Sequence, residues 1–149
     1  VFERDYLMRM IMQLIESIRR SLEAANGSQE DPEAAADLLE TGIGAAVDMD
    51  GAVLLSLAPE SIADILAVSG TDPRVAEYVG RSLFLESSYL ERIGRSDVAD
   101  LRCQQAQALA DAYGFSLDET LGAQAAMEAF LAGHEGNASC GDEIAQDPS

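Results

Sequence analysis

The chain contains no tryptophan and no lysine, a single histidine and only two cysteines in 149 residues. Nucleophilic catalysis needs a base within hydrogen-bond reach of the nucleophile, and histidine is the usual one. Here it is confined to His134, near the end of the apolar patterning. Cys103 and Cys140 have neither zinc-ligand spacing nor a C-x-x-C arrangement, a usage that fits a reducing cytoplasm. No run approaches the roughly 18 to 20 apolar residues of a membrane span. The opening VFERDYLMRM carries acids where a signal peptide has a basic region followed by an apolar core. The expectation is a cytoplasmic protein, neither secreted nor embedded in a membrane.

Basic residues are scarce as well. Nine face 27 acids, for a formal charge of −18. That charge repels phosphate backbones and anionic lipid within the Debye length, so nucleic acid and membrane surfaces are excluded as expected partners. All nine are arginine in a chain rich in Ala, Asp and Gly, a composition that reads as codon bias in a GC-rich bacterial genome. Their placement is uneven. Arg4, Arg9, Arg19 and Arg20 stand among residues 1–20 with three acids, and five arginines stand with five acids in residues 74–102. Residues 21–73 hold eleven acids and residues 103–149 eight, with no base in either segment. Folded surfaces ordinarily mix their signs. Either the acids coat the molecule for solubility, or they converge into a face for a basic partner or cation.

What the sequence does have is helical periodicity. Leu7, Ile11, Leu14, Ile18 and Leu22 recur at helical spacing over about Asp5–Ala25, opposite Arg9, Gln13, Glu16, Arg20 and Glu23. Met8, Met10, Met12 and Ile15 widen the apolar side beyond one face. Such a helix must be covered on more than one side, either as the central helix of its own domain or by a second subunit. Asp31-Pro32-Glu33 and Asp72-Pro73 combine an N-cap with proline at the first helical position. Asp50 caps a short helix, Pro59 opens another through about Val68, and Ser96 caps a helix running to about Tyr113. Ser116-Leu117-Asp118-Glu119 reads as a capping box for the last helix. Gly42 and Gly44 weaken the second helix and suit close packing against a neighbour. No segment alternates with period two. The expected fold is all-α, about six or seven helices in antiparallel hairpins, arranged as a bundle or a tetratricopeptide-like superhelix. Residues 1–132 form the domain, and residues 133–149 read as a flexible acidic tail.

Constellations with chemical meaning fail on inspection. Asp48-Met49-Asp50-Gly51 has the alternation of a calcium loop, yet registering its glycine puts Ala46 and Leu57 at the essential carboxylate positions. Gly42-Ile43-Gly44 lacks the third glycine and the preceding strand of a dinucleotide fingerprint. His134, Cys140, Asp142 and Glu143 lack a turn-fixed spacing for metal. Cys103, among Val98, Leu101, Ala106 and Leu109, reads as a buried inert thiol. No catalytic residue, cofactor or metal is assigned.

Leu83, Ser87 and Leu90, a turn at Gly94, and Ala99, Cys103 and Ala106 follow the spacing of one tetratricopeptide hairpin, with Glu86 and Asp111 where leucine and proline belong. This stretch looks like one degenerate hairpin of that type; any antiparallel helix pair can share such spacing. The opening DYLMRMIMQL followed by DPEAAADLLE resembles a family of short bacterial helical proteins without an assigned active site. That resemblance implies a bacterial cytoplasmic origin and transfers no residue roles. The functional expectation is a non-catalytic protein that binds another protein or itself, as a homodimer, through a candidate surface at Met8, Met12 and Ile15. The alternatives are a small-molecule-binding protein or enzyme with a pocket lined by Tyr78, Tyr89 and Tyr113, or a structural subunit of a larger complex.

Overall fold

The structure, a computed structural model, describes the backbone of residues 2–146 and the side chains of residues 4–134. Seven helices follow one another: α1 (Phe2–Asn26), α2 (Pro32–Val47), α3 (Gly51–Leu55), α4 (Pro59–Val68), α5 (Pro73–Arg92), α6 (Ser96–Tyr113) and α7 (Ala123–Gln146). No strand occurs among the described residues, and the fold is all-α. Residue 133, where the sequence reading starts a tail, lies within the backbone span of α7. The side chains from 135 onward and residues 147–149 lie outside the described ones.

The aspartate caps form as their spacing dictates. Asp31 accepts from the Ala34 N–H at 3.0 Å, Asp50 from Ala52 and Val53, and Asp72 from Arg74 at 2.8 Å. Each satisfies donors that the first helical turn cannot pair internally. Two expected caps do not form. Ser96 is already the first residue of α6, and Arg95, which caps nothing through its side chain, precedes it. Asp118 folds back onto the Thr120 N–H at 3.0 Å and its hydroxyl, closing a local turn instead of a capping box. The chain then passes Gly122 at φ +82° before α7 begins. A left-handed residue there keeps the helix from starting earlier.

Two helical hairpins, α1–α2 and α5–α6, make the framework, with α4 laid on α6 and α3 on α2. Helix α5 holds the centre, packing against α1, α2, α6 and α7. Its buried set runs through Val75, Val79, Leu83, Leu85, Tyr89 and Leu90 and includes Ser82, Glu86 and Ser87. The sequence expectation that α1 could be the central helix is thereby corrected. Among its described side chains, α1 buries only Ile11, Leu14, Ile18, Ser21 and Ala25, against α2 and α5. Burying a narrow stripe is enough to hold it, because a stripe is all that two neighbours on one side can cover. Gly42 allows α2 to approach α1 closely, since a Cβ there would sit 2.5 Å from Ser17 Oγ.

Candidate functional site

Helix α1 leaves an apolar edge in solvent. Met12 is 64% exposed and Met8 47%, one turn apart on the same side, while Ile15 is half-buried at the rim of the core. A shallow groove of about 540 Å³ runs along this side between Asp5, Met8, Arg9, Met12, Gln13 and Glu16. Glu16 and Arg20 form an i,i+4 pair at 3.3 Å, with both side chains largely in water. Of the candidate surface residues, the structure thus brings Met8 and Met12 to the outside together. Ile15 continues them inward, where it packs against the core.

A second concavity, of about 670 Å³, lies where the start of α1 meets the end of α2 and the turn into α5. Leu7, Met10, Val47 and Val75 supply apolar wall, and Arg4 and Arg74 stand at its edge with Thr71. Arg74 is held by Asp72 at 3.3 Å. Burial acts to raise the Asp72 carboxyl, but the hydrogen bonds and charge of Arg74 bring it below its ordinary value. Tyr6, 58% exposed, adds an aromatic edge. No sequence signal marked this concavity, because its walls come from three separate segments.

The three tyrosines proposed as a pocket lining do not line either concavity. Tyr89 is fully buried, with its hydroxyl 3.1 Å from Ser21 Oγ, and burial pushes it up to about 12. Tyr78 packs edge-on against Phe130, with ring centres 5.0 Å apart, fastening α7 to α5. Arg81 lies 4.3 Å from the centre of the same Phe130 ring and pairs with Glu77 at 2.8 Å. Tyr113 ends α6, and its hydroxyl has no partner among the described residues. Burial raises both Tyr78 and Tyr113.

Behind the surface lies a polar network that sequence reading missed. Arg102 on α6 donates from Nε to Glu86 Oε2 at 2.9 Å, from Nη1 to the Leu55 carbonyl at 2.8 Å, and from Nη2 to Glu40 at 3.3 Å. Gln105 accepts from Arg102 at 3.1 Å and donates to the Leu55 and Leu57 carbonyls, each at 2.9 Å. Thus α6 carries the free carbonyls at the end of α3, which no later turn of that five-residue helix can satisfy. Glu86 is fully buried. Desolvation pushes its carboxyl up to about 9, the Glu40 side chain adds to the rise, and the charge of Arg102 only partly offsets it. The available clue was Glu86 standing where a helical hairpin expects leucine.

Cys103 is exposed, a correction of the buried thiol expected from its apolar neighbours. Arg102 takes the inward position beside it, and Cys103 Sγ rests 3.2 Å from Ser87 Oγ. His134 Nδ1 lies 2.9 Å from the Phe130 carbonyl, and its ring stacks at a tilt on Phe130. Cys140, Asp142 and Glu143 lie outside the described side chains. Among the described residues, no three His, Cys, Asp or Glu side chains converge as for a metal ion. Among the described residues, no helix is long and apolar enough to cross a membrane. The two base-free segments meet in part, where Glu60 and Asp64 of α4 face Asp111 of α6 across a groove of about 620 Å³.

Comparison of the chain with protein-family profiles, curated proteins and solved structures finds no match.

Proposed function

We propose that this is a non-catalytic protein-interaction domain of the bacterial cytoplasm, and that the methionine edge of α1 is its docking surface. One observation carries the reading: Met12 and Met8 stand in solvent on a helix whose opposite stripe is fully built into the core. Flexible thioethers suit contact with a separate surface, since they adapt without a fixed rotamer. Burying the two side chains on a partner would contribute about 1.5 to 3 kcal/mol each. A photo-crosslinking residue placed at position 12 tests this in cells, with the same residue at Asp64 as the comparison. The expected result is a crosslinked protein at position 12 and none at 64. Equal or absent crosslinking at both positions removes the support.

The second reading is a small-molecule site in the concavity between Leu7, Val47 and Val75, with Arg4 and Arg74 at its edge. Its lining, apolar walls with Asp48 and Asp72 beside the two arginines, favours an apolar ligand with one polar end. Native mass spectrometry of the purified protein from its own cytoplasm would retain such a ligand, and Val47→Trp would expel it. An unliganded mass in every preparation counts against this reading.

A further inference from the structure

The outer face of α1 has no acidic excess on a molecule that is otherwise strongly acidic. Asp5, Arg9, Glu16, Arg19 and Arg20 are all exposed along it, two acids and three bases, around Met8 and Met12. With a formal charge of −18 on each copy, most pairs of surfaces repel one another within a Debye length of about 10 Å at 0.1 M salt. This face is where two copies can approach without the acidic excess of the rest of the surface.

The order of the charges does more than neutralise. Along the helix it runs acid, base, acid and then a pair of bases, at positions 5, 9, 16 and 19–20. When two such helices lie antiparallel about a two-fold axis beside Met12 and Gln13, Arg9 stands opposite the partner's Glu16. Asp5 then stands opposite the partner's Arg20, and symmetry repeats both pairs. Other alignments are penalised. A parallel pairing in register sets each charge against its like. Slipping the antiparallel pair by two turns sets Glu16 on the partner's Glu16 in one direction, or Arg9 on the partner's Arg9 in the other. The pattern is therefore self-complementary in one register and repulsive in its neighbours, the form that specificity takes when charges flank an apolar seam.

We infer that the partner of the α1 face is a second copy of this chain, docked antiparallel through Met8 and Met12 with Arg9–Glu16 and Asp5–Arg20 pairs across the axis. This rests on the interaction reading above and adds the identity and register of the partner. Arg20, which now holds its own Glu16 at 3.3 Å, can bridge that residue and the partner's Asp5. Seven residues between Asp5 and Arg20 supply the contact, so the interface is small and the dimer reversible, in the micromolar range.

Sedimentation equilibrium of the full chain over about 5 to about 500 µM tests the inference. The mass is expected to rise from monomer to dimer across that range. Arg9→Glu and Glu16→Arg should each weaken the dimer about tenfold or more. The double change Arg9→Glu with Glu16→Arg should return it to within about threefold of the original, because the cross-axis pair is restored with its signs exchanged. Met12→Glu should leave a monomer. All three positions are exposed, and far-UV circular dichroism verifies that the variants keep their helices. A dimer that survives Met12→Glu, or a double variant no better than the weaker single one, overturns the inference. So does a monomer at every concentration. In that last case a crosslink from position 12 to a different protein would leave the interaction reading standing.

Discussion

Glu86 Oε2 accepts a 2.9 Å hydrogen bond from the Arg102 guanidinium, yet the Glu86 carboxyl is pushed up to about 9. Position explains the apparent conflict. The side chain is fully buried, the second carboxyl oxygen has no partner among the described residues, and Glu40 approaches from the far side. Removing a carboxylate from water costs several kcal/mol, and one guanidinium shared among four acceptors does not return it all.

Stability should therefore fall as pH rises. In the unfolded chain Glu86 releases its proton near its ordinary 4.5, whereas the native state holds it to about 9. Between those values the native state binds more protons than the unfolded one. The contribution is full below 4.5 and is lost progressively toward 9, with a slope of at most about 1.4 kcal/mol per pH unit. Glu86→Gln keeps the shape of the protonated group without its titration. Urea unfolding at several pH values is expected to show wild type losing stability relative to Glu86→Gln from pH 5 upward. Parallel curves would mean that Glu86 does not hold its proton.

Arg102 anchors α3 to α6 as well as meeting Glu86. Replacing it with methionine takes the donor from the Gln105 side-chain oxygen and from the Glu40 and Glu86 carboxyl groups, and should cost about 3 to 5 kcal/mol. The paired change Arg102→Met with Glu86→Leu removes donor and acceptor together. It should cost less than Arg102→Met alone, as a denaturation double-mutant cycle would read. An additive cycle would refute coupling between the two side chains.

Much of the fold was legible in the chain because its punctuation is local. Asp31-Pro32 and Asp72-Pro73 announce helix starts from within four residues, and the structure places both caps there. Asp118 misled for the same reason: within four residues, a capping box and an aspartate turn look alike, and Gly122 decides between them from outside that window. Which helix is central was not legible. Helix α1 carries more apolar residues than its two neighbours can cover, while α5 buries Ser82, Glu86 and Ser87 by pairing them. Neither fact follows from hydrophobic periodicity. The exposure of Met8 and Met12 could be read only once α2 and α5 were seen to take the same side of α1.

Gly42 tests how tightly the first hairpin is packed. Alanine is the better helix former by about 1 kcal/mol, but its Cβ would fall 2.5 Å from Ser17 Oγ and 2.6 Å from Ser17 Cβ. Part of that overlap lies at Cβ itself, which a rotamer change cannot move, so α1 and α2 must separate. Gly42→Ala should destabilise the protein by about 1 to 3 kcal/mol, and Ser17→Gly should recover much of that loss. Gly42→Ala leaving the midpoint of chemical unfolding unchanged or raised would show that the helices have room to spare.

Cys103 separates an inward from an outward registration of α6. Arg102 and Ala106 point into the domain, and between them Cys103 faces out with its Sγ 3.2 Å from Ser87 Oγ. A rotation of α6 by one residue would bury the thiol and expel the guanidinium, exchanging a satisfied charge for an unpaired one. In a Cys140→Ser background, the native protein should react with a thiol-specific disulfide reagent within about tenfold of the rate for the unfolded chain. Protection by about a thousandfold would require global opening before reaction. That outcome would place Cys103 in the core and overturn the α6 registration on which the Arg102 network depends.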